Sequence, residues 1–136
     1  MDQSINILLV EDSDTDAFIA SRMIMSVYKN CNIDHVYNGK QALEYMFSEE
    51  NPKPDLIITD LNMPVMNGQQ MLVNISNTES LSNIKVAVVT SSGHMDDIDQ
   101  CMASGANRCI EKPLSQEVTR ELIESLVLKN TVILTK

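Results

Sequence analysis

The sequence predicts an α/β domain built on a five-stranded, doubly wound parallel sheet with helices on both faces. Three observations carry this prediction. Short apolar runs recur at regular intervals, the stretches between them have helical periodicity, and Gly or Pro marks several of the junctions. At 136 residues the chain fits a single domain, with a core from about residue 5 to residue 128 and a short segment beyond it. Hydrophobic residues make up 43% of the chain, with no Trp, three Tyr and two Phe, so the core has to be aliphatic.

The apolar runs are Ile5 to Val10, Ile33 to Tyr37, Leu56 to Thr59, Val86 to Val89, and Cys109 to Ile110. Each reads as a strand, and their alternation with helices makes the sheet parallel. After the first strand, Ile19, Ala20, Met23, Ile24 and Val27 recur at helical spacing and predict the face pressed on the sheet, with Phe18, Arg22 and Met25 outside that stripe. Gly39 opens the second helix, whose apolar positions are Ala42, Leu43, Met46 and Phe47, and Asn51-Pro52-Lys53-Pro54 ends it. Gly68 precedes the third helix and Gly105 follows the fourth. The last starts near Ser115, a capping residue, and turns Val118, Leu122, Ile123 and Leu126 inward. Residues 129–136 form a β-prone, nearly uncharged tail that is awkward to leave in water. It either packs on its own domain or docks a partner, a second copy in a homodimer included.

Nineteen acidic residues against ten basic ones give a net charge of −9, and no Lys/Arg cluster offsets it, which argues against direct binding of nucleic acid. Cys31, Cys101 and Cys109 form neither a C-x-x-C pair nor an even framework and read as reduced thiols. The start, Met1-Asp2-Gln3-Ser4, has no leader pattern, and no apolar run approaches a membrane span, so the expectation is a soluble, cytoplasmic protein without membrane insertion.

Ligands of a doubly wound sheet bind beyond the carboxyl ends of its strands. The residues at the end of each apolar run are therefore the informative ones. Glu11 and Asp12 come after the first run, Asp60 after the third, Thr90 and Ser91 after the fourth, and Lys112 and Pro113 after the fifth. Three converging carboxylates repel unless a cation sits among them, and Mg²⁺ suits a site with few carboxylates and room for phosphate oxygens. Lys112 adds a second positive charge and Thr90 a hydroxyl donor, while Asp60 is placed to be a nucleophile. These are the parts that phosphoryl transfer needs, since its catalysis is mostly positioning and charge neutralisation.

Glu11-Asp12, the run Asp60-Leu61-Asn62-Met63-Pro64 continuing to Met66 and Gly68, Thr90, and Lys112-Pro113 closely resemble the response-regulator receiver domains of two-component signalling, over roughly Asn6 to Leu128. The resemblance implies a flavodoxin-like strand order 2-1-3-4-5 and a cis Lys112-Pro113 peptide. It implies that Asp60 is the phosphoacceptor, served by a histidine kinase or histidine phosphotransfer protein, with Thr90 and Lys112 holding the phosphoryl oxygens. Asp12, Asp60 and the backbone carbonyl of Asn62 would bind Mg²⁺, and Glu11 would act through a metal-bound water. The implied function is that of a stand-alone response regulator, not an enzyme in its own right, that signals by phosphorylation-dependent binding to a downstream protein target. A phosphorelay intermediate is the alternative. One departure stands out: Cys109 occupies the position, three before the lysine, where receivers commonly carry an aromatic switch residue. In such domains the positions held here by Asn62 and Ser92 influence the lifetime of the phosphoryl group.

Two other readings compete. Asp12, Asp14 and Asp16 alternate as in a calcium loop, but Ala17 and Met23 stand where Gly and Glu are required. A small haloacid-dehalogenase-like phosphohydrolase would use similar groups, with Asp12-Ser13-Asp14 as its first motif, yet Asp16 stands where Thr or Val belongs. Phe18, Arg22 and Met25 are candidates for a docking surface, and His94 reads as a solvated residue at a helix start.

Overall fold

In a computed structural model that describes residues 4–91 and 93–128, β1 (Ile5–Val10), β2 (Cys31–Val36), β3 (Leu56–Thr59), β4 (Lys85–Thr90) and β5 (Arg108–Glu111) alternate with α1 (Asp14–Val27), α2 (Gly39–Phe47), α3 (Gly68–Ser76), α4 (Met95–Ala103) and α5 (Gln116–Leu122). All strands are parallel, in the order β2-β1-β3-β4-β5. The reversal of order at β1 and β3 sends successive helices to opposite faces and opens a crevice between the ends of those two strands. The β-prone tail and Ser92 lie outside the described residues.

Successive side chains of a strand point to opposite faces, and both faces here are covered. Leu8, Val10, Ile57, Val86 and Val88 pack with Ala42, Met46, Met71, Leu72 and Cys101 of α2, α3 and α4. Ile5, Ile7, Leu9, Leu56, Ile58 and Val89 pack with Ala17 and Ile24 of α1 and with Leu122 and Ile123. Helix starts are capped as their sequence suggests: Ser13, Asn38, Asn67 and Ser115 each accept a backbone N–H of the following turn, and Asn67 with Gln70 closes a full capping box. After Leu122 the last helix widens into a π turn over Ile123–Val127.

Two predicted inward residues face solvent. Ile19 is 56% exposed, because the stripe on the sheet runs through Ala17, Ala20, Ile24 and Val27. At about 100° per residue, Ile19 lies roughly 140° around the helix from Ile24. Phe47 is also 56% exposed, since Ala42 and Met46 already fill the contact between α2 and the sheet. The second strand starts at Cys31, two residues earlier than its apolar run, because it pairs with β1 along the whole length from Ile5. Phe18, Arg22 and Met25 lie outside the buried stripe as expected, with the Arg22 guanidinium 5.7 Å from the centre of the Phe18 ring. His94 is an exposed helix-start residue.

The loop from β3 to α3 contains a strained point. The Met66 N–H donates to the Pro64 carbonyl at 2.8 Å and closes a three-residue turn around Val65, whose φ is 70°. A β-branched residue in that region costs about 1–3 kcal/mol. Val65 is 75% exposed and packs little in return. Val65→Gly is expected to stabilise the protein by about 1 kcal/mol, after allowing for the greater freedom of glycine in the unfolded chain, and to raise Tm by about 3 °C in a thermal melt. A lower Tm would show that the turn is not strained.

Candidate functional site

Ladder hydrogen bonds bring the strand-end residues together. The N–H of Glu11 donates to the Val36 carbonyl (3.0 Å), that of Asp60 to the Val10 carbonyl (2.9 Å) and that of Lys112 to the Thr90 carbonyl (2.8 Å). The three acidic and basic side chains leave the sheet at one edge, and Thr90 is buried at the end of β4 beside them. Gly68 lets the following loop fold back here, because a Cβ on it would lie 2.6 Å from the Asp60 carbonyl oxygen. The Lys112-Pro113 peptide is cis.

Carboxylate oxygens of Glu11, Asp12 and Asp60 lie within 4.8 Å of one another. Glu11 is nearly buried and accepts from the Ser13 N–H (3.2 Å) and from Lys112 Nζ (3.1 Å). Asp60 Oδ1 accepts from the Leu61 N–H at 2.8 Å, and its Oδ2 lies 3.6 Å from Lys112 Nζ. Burial raises the pKa of Asp60, helped by the charge of Asp12, against the opposing pull of Lys112 and the Leu61 N–H. Burial likewise raises Glu11, with the Asp60 charge adding to it, although Lys112 and the Ser13 N–H pull the other way. Desolvation pulls Lys112 down, but Glu11, Asp60 and Asp16 more than offset it and its pKa ends raised. Three hard oxygen donors, two of them raised in pKa chiefly by burial and further by a neighbouring carboxylate, form a site that a small divalent cation would relieve. Asn62 is exposed in the same loop, two residues beyond Asp60.

Three contributions were not legible in the sequence. Asp16, on the first turn of α1, lies 3.3 Å from Lys112 Nζ through Oδ2. Asp12 lies before the Ser13 cap of α1 and Asp16 within its first turn, so no single periodic pattern joined the two in the sequence. His35 Nε2 is 2.8 Å from the Glu11 carbonyl, and since a carbonyl only accepts, Nε2 carries the hydrogen and steadies the β1–α1 junction. Its ring packs at 4.4 Å from that of Tyr37, whose hydroxyl donates to Asp14. Beside the site a hollow of about 330 Å³ opens between α1 and the Pro113-Leu114 segment, with Ile19 and Met23 on its wall. Cys109 is half-buried against the core of the α2–α4 face, which includes buried Cys101.

Comparison with known proteins gives one answer. Residues 7–124 match the model of the response regulator receiver domain. The response regulator Rcp1 of Synechocystis sp. is 37% identical over 100 residues, which is 68% of this chain and 65% of that protein. A probable methanogenesis regulatory protein, FilR2, of Methanothrix harundinacea is 31% identical over 88% of this chain and 79% of its own. Among solved structures, the phosphorylated cyanobacterial phytochrome response regulator RcpA superposes with a TM-score of 0.82 at 25% identity, covering 93% of this chain and 96% of that one. The Mn²⁺-bound form of Rcp1 does so with 0.75 at 27% identity, over 90% and 94%. Among the described residues no helix is long and apolar enough to cross a membrane.

Proposed function

The chain belongs to the response regulator receiver domain family and signals by phosphorylation, and from that premise we propose that Asp60 is the phosphoacceptor. The observation that carries the reading is the convergence of Glu11, Asp12, Asp60 and Lys112 at one edge of the sheet. A carboxylate oxygen of Asp60 forms a bond to phosphorus while the phosphorus–nitrogen bond of a phosphohistidine donor breaks. The electron pair goes to the imidazole, which takes up a proton. Lys112 is 3.6 Å from Asp60 and within reach of the incoming oxygens, and Thr90, at the neighbouring strand end, supplies a hydroxyl to them.

Asp12, Asp60 and the Asn62 carbonyl are the proposed holders of Mg²⁺, with Glu11 acting through a bound water. The ion supplies neutralisation of the negative charge gathered on the phosphoryl group and its acceptor. The Mn²⁺-bound form of Rcp1 supports a divalent ion in this fold. The donor is a histidine kinase or phosphotransfer protein, and the output is a change in affinity for a downstream protein. A phosphoryl group adds about −1.5 to −2 charges and shifts the population of surface states only as far as its differential affinity allows. With Cys109 in β5, that change does not run through an aromatic side chain at this position.

Acetyl phosphate with Mg²⁺ is expected to add one phosphoryl group, read by intact mass, and EDTA to prevent it. A native, folded protein that gains no mass under these conditions would refute the reading.

A further inference from the structure

Lys112 has a partner that phosphoryl transfer does not require. Its Nζ donates to Glu11 Oε1 at 3.1 Å and to Asp16 Oδ2 at 3.3 Å, whereas Asp60 Oδ2 is 3.6 Å away, beyond ordinary hydrogen-bond length. Asp16 is fixed by the capping of α1, its N–H donating to Ser13 Oγ at 3.2 Å. Its carboxylate is half-exposed, at 49%, on the rim of the hollow between α1 and the segment after β5. The ordinary reading of an acidic residue in a first helical turn is a favourable interaction with the helix dipole and nothing more. That reading does not account for an ion pair that crosses 96 residues of sequence to the single lysine of the site.

We infer that Asp16 is a positioning and donor-selecting residue, which holds the Lys112 ammonium toward α1 and sets a negative charge at the entrance, so that small anionic phosphodonors are disfavoured. The inference rests on Asp60 as phosphoacceptor. A divalent ion held by Glu11, Asp12 and Asp60 would, with Lys112, balance those three carboxylates, and Asp16 is the fourth. Its charge leaves the entrance net negative toward a dianion such as acetyl phosphate. A protein donor can bring complementary charge of its own and is not penalised in the same way. Removing the charge also frees Lys112 to move toward Asp60.

The test compares the native protein with Asp16→Asn and Asp16→Glu in Mg²⁺, using dianionic acetyl phosphate and the less charged phosphoramidate. Asp16→Asn is expected to raise the rate constant per donor concentration for acetyl phosphate about three- to tenfold at low salt, with a smaller rise for phosphoramidate and convergence toward the native rate at about 1 M salt. Asp16→Glu is expected to retain the native rate and salt dependence. Circular dichroism and a thermal melt establish that each variant is folded, and an exposed helix-start position tolerates both changes. If Asp16→Asn matches the native protein in rate and salt dependence, or is slower, while the native protein is phosphorylated normally, the role of Asp16 is overturned and Asp60 stands. If the native protein itself takes no phosphoryl group, the premise fails instead.

Discussion

Asp60→Asn is expected to abolish Mg²⁺-dependent phosphorylation outright while leaving the protein folded and a few degrees more heat-stable in the absence of metal. The amide is close in shape to the carboxylate, so the Leu61 N–H keeps an acceptor and the loop stays in place. What disappears is the nucleophilic oxygen and one of the clustered negative charges. Asp60 is half-buried and its pKa is already raised by that burial and by Asp12, so the charge is held at a cost to stability that the amide removes. Affinity for Mg²⁺ should fall by about tenfold or more, because one of three charged donors is lost. Intact mass after acetyl phosphate treatment, together with a thermal melt with and without Mg²⁺, separates the effects. Phosphoryl incorporation in the variant at the native rate would remove Asp60 from the reaction, and a lower metal-free Tm would contradict the crowding of charge.

Mg²⁺ is expected to reverse the pH dependence that this site imposes on stability. Glu11 and Asp60 have pKa values raised above their ordinary ones of 4.5 and 3.8. The native state therefore binds more protons than the unfolded chain as pH rises through and above that range, and their contribution falls with rising pH until both are ionised. The raised pKa of Lys112 contributes stability that is complete below its ordinary value of 10.5 and is lost only above it, so it leaves neutral pH unaffected. A divalent ion binds the ionised carboxylates and releases those protons, which makes its stabilisation grow with pH over the same window. At a concentration ten times Kd and pH 7.5 the gain is about 1.4 kcal/mol, or about 5 °C in Tm, and it fades toward pH 4. Melts across pH with Mg²⁺ and with EDTA measure the difference, in which the remaining carboxylates cancel. A Mg²⁺-induced shift as large at pH 4 as at pH 7.5 would place the ion elsewhere.

Most of the fold and the centre of the site were legible in the residues because both depend on local pattern. Strands buried on both faces read as unbroken apolar runs, helices as amphipathic stretches, and capping side chains mark where the helices begin. In a doubly wound sheet the residue after each strand is sent to one edge, so Glu11, Asp12, Asp60, Thr90 and Lys112 could be grouped from their positions alone. The receiver resemblance added the strand order and the cis Lys112-Pro113 peptide, and both are present.

How these parts are turned toward one another was settled in three dimensions. The rotation of α1 on the sheet puts Ala17 inward and Ile19 outward, although a hydrophobic stripe allowed either. The reach of Lys112 across to α1 selects Asp16 as a partner from a chain with nineteen acidic residues. The register of β1 with β2 sets His35 under the Glu11 carbonyl, and the packing of α4 on β5 sets Cys101 against Cys109. The residues in their linear order specify the α/β alternation, because apolar runs and helical stripes repeat with short periods, and the residues that follow the strands carry the resemblance to a receiver with Asp60 among converging charges. Helix rotation, strand register and side-chain reach depend on contacts between residues far apart in the chain, and those contacts exist only once the sheet has assembled.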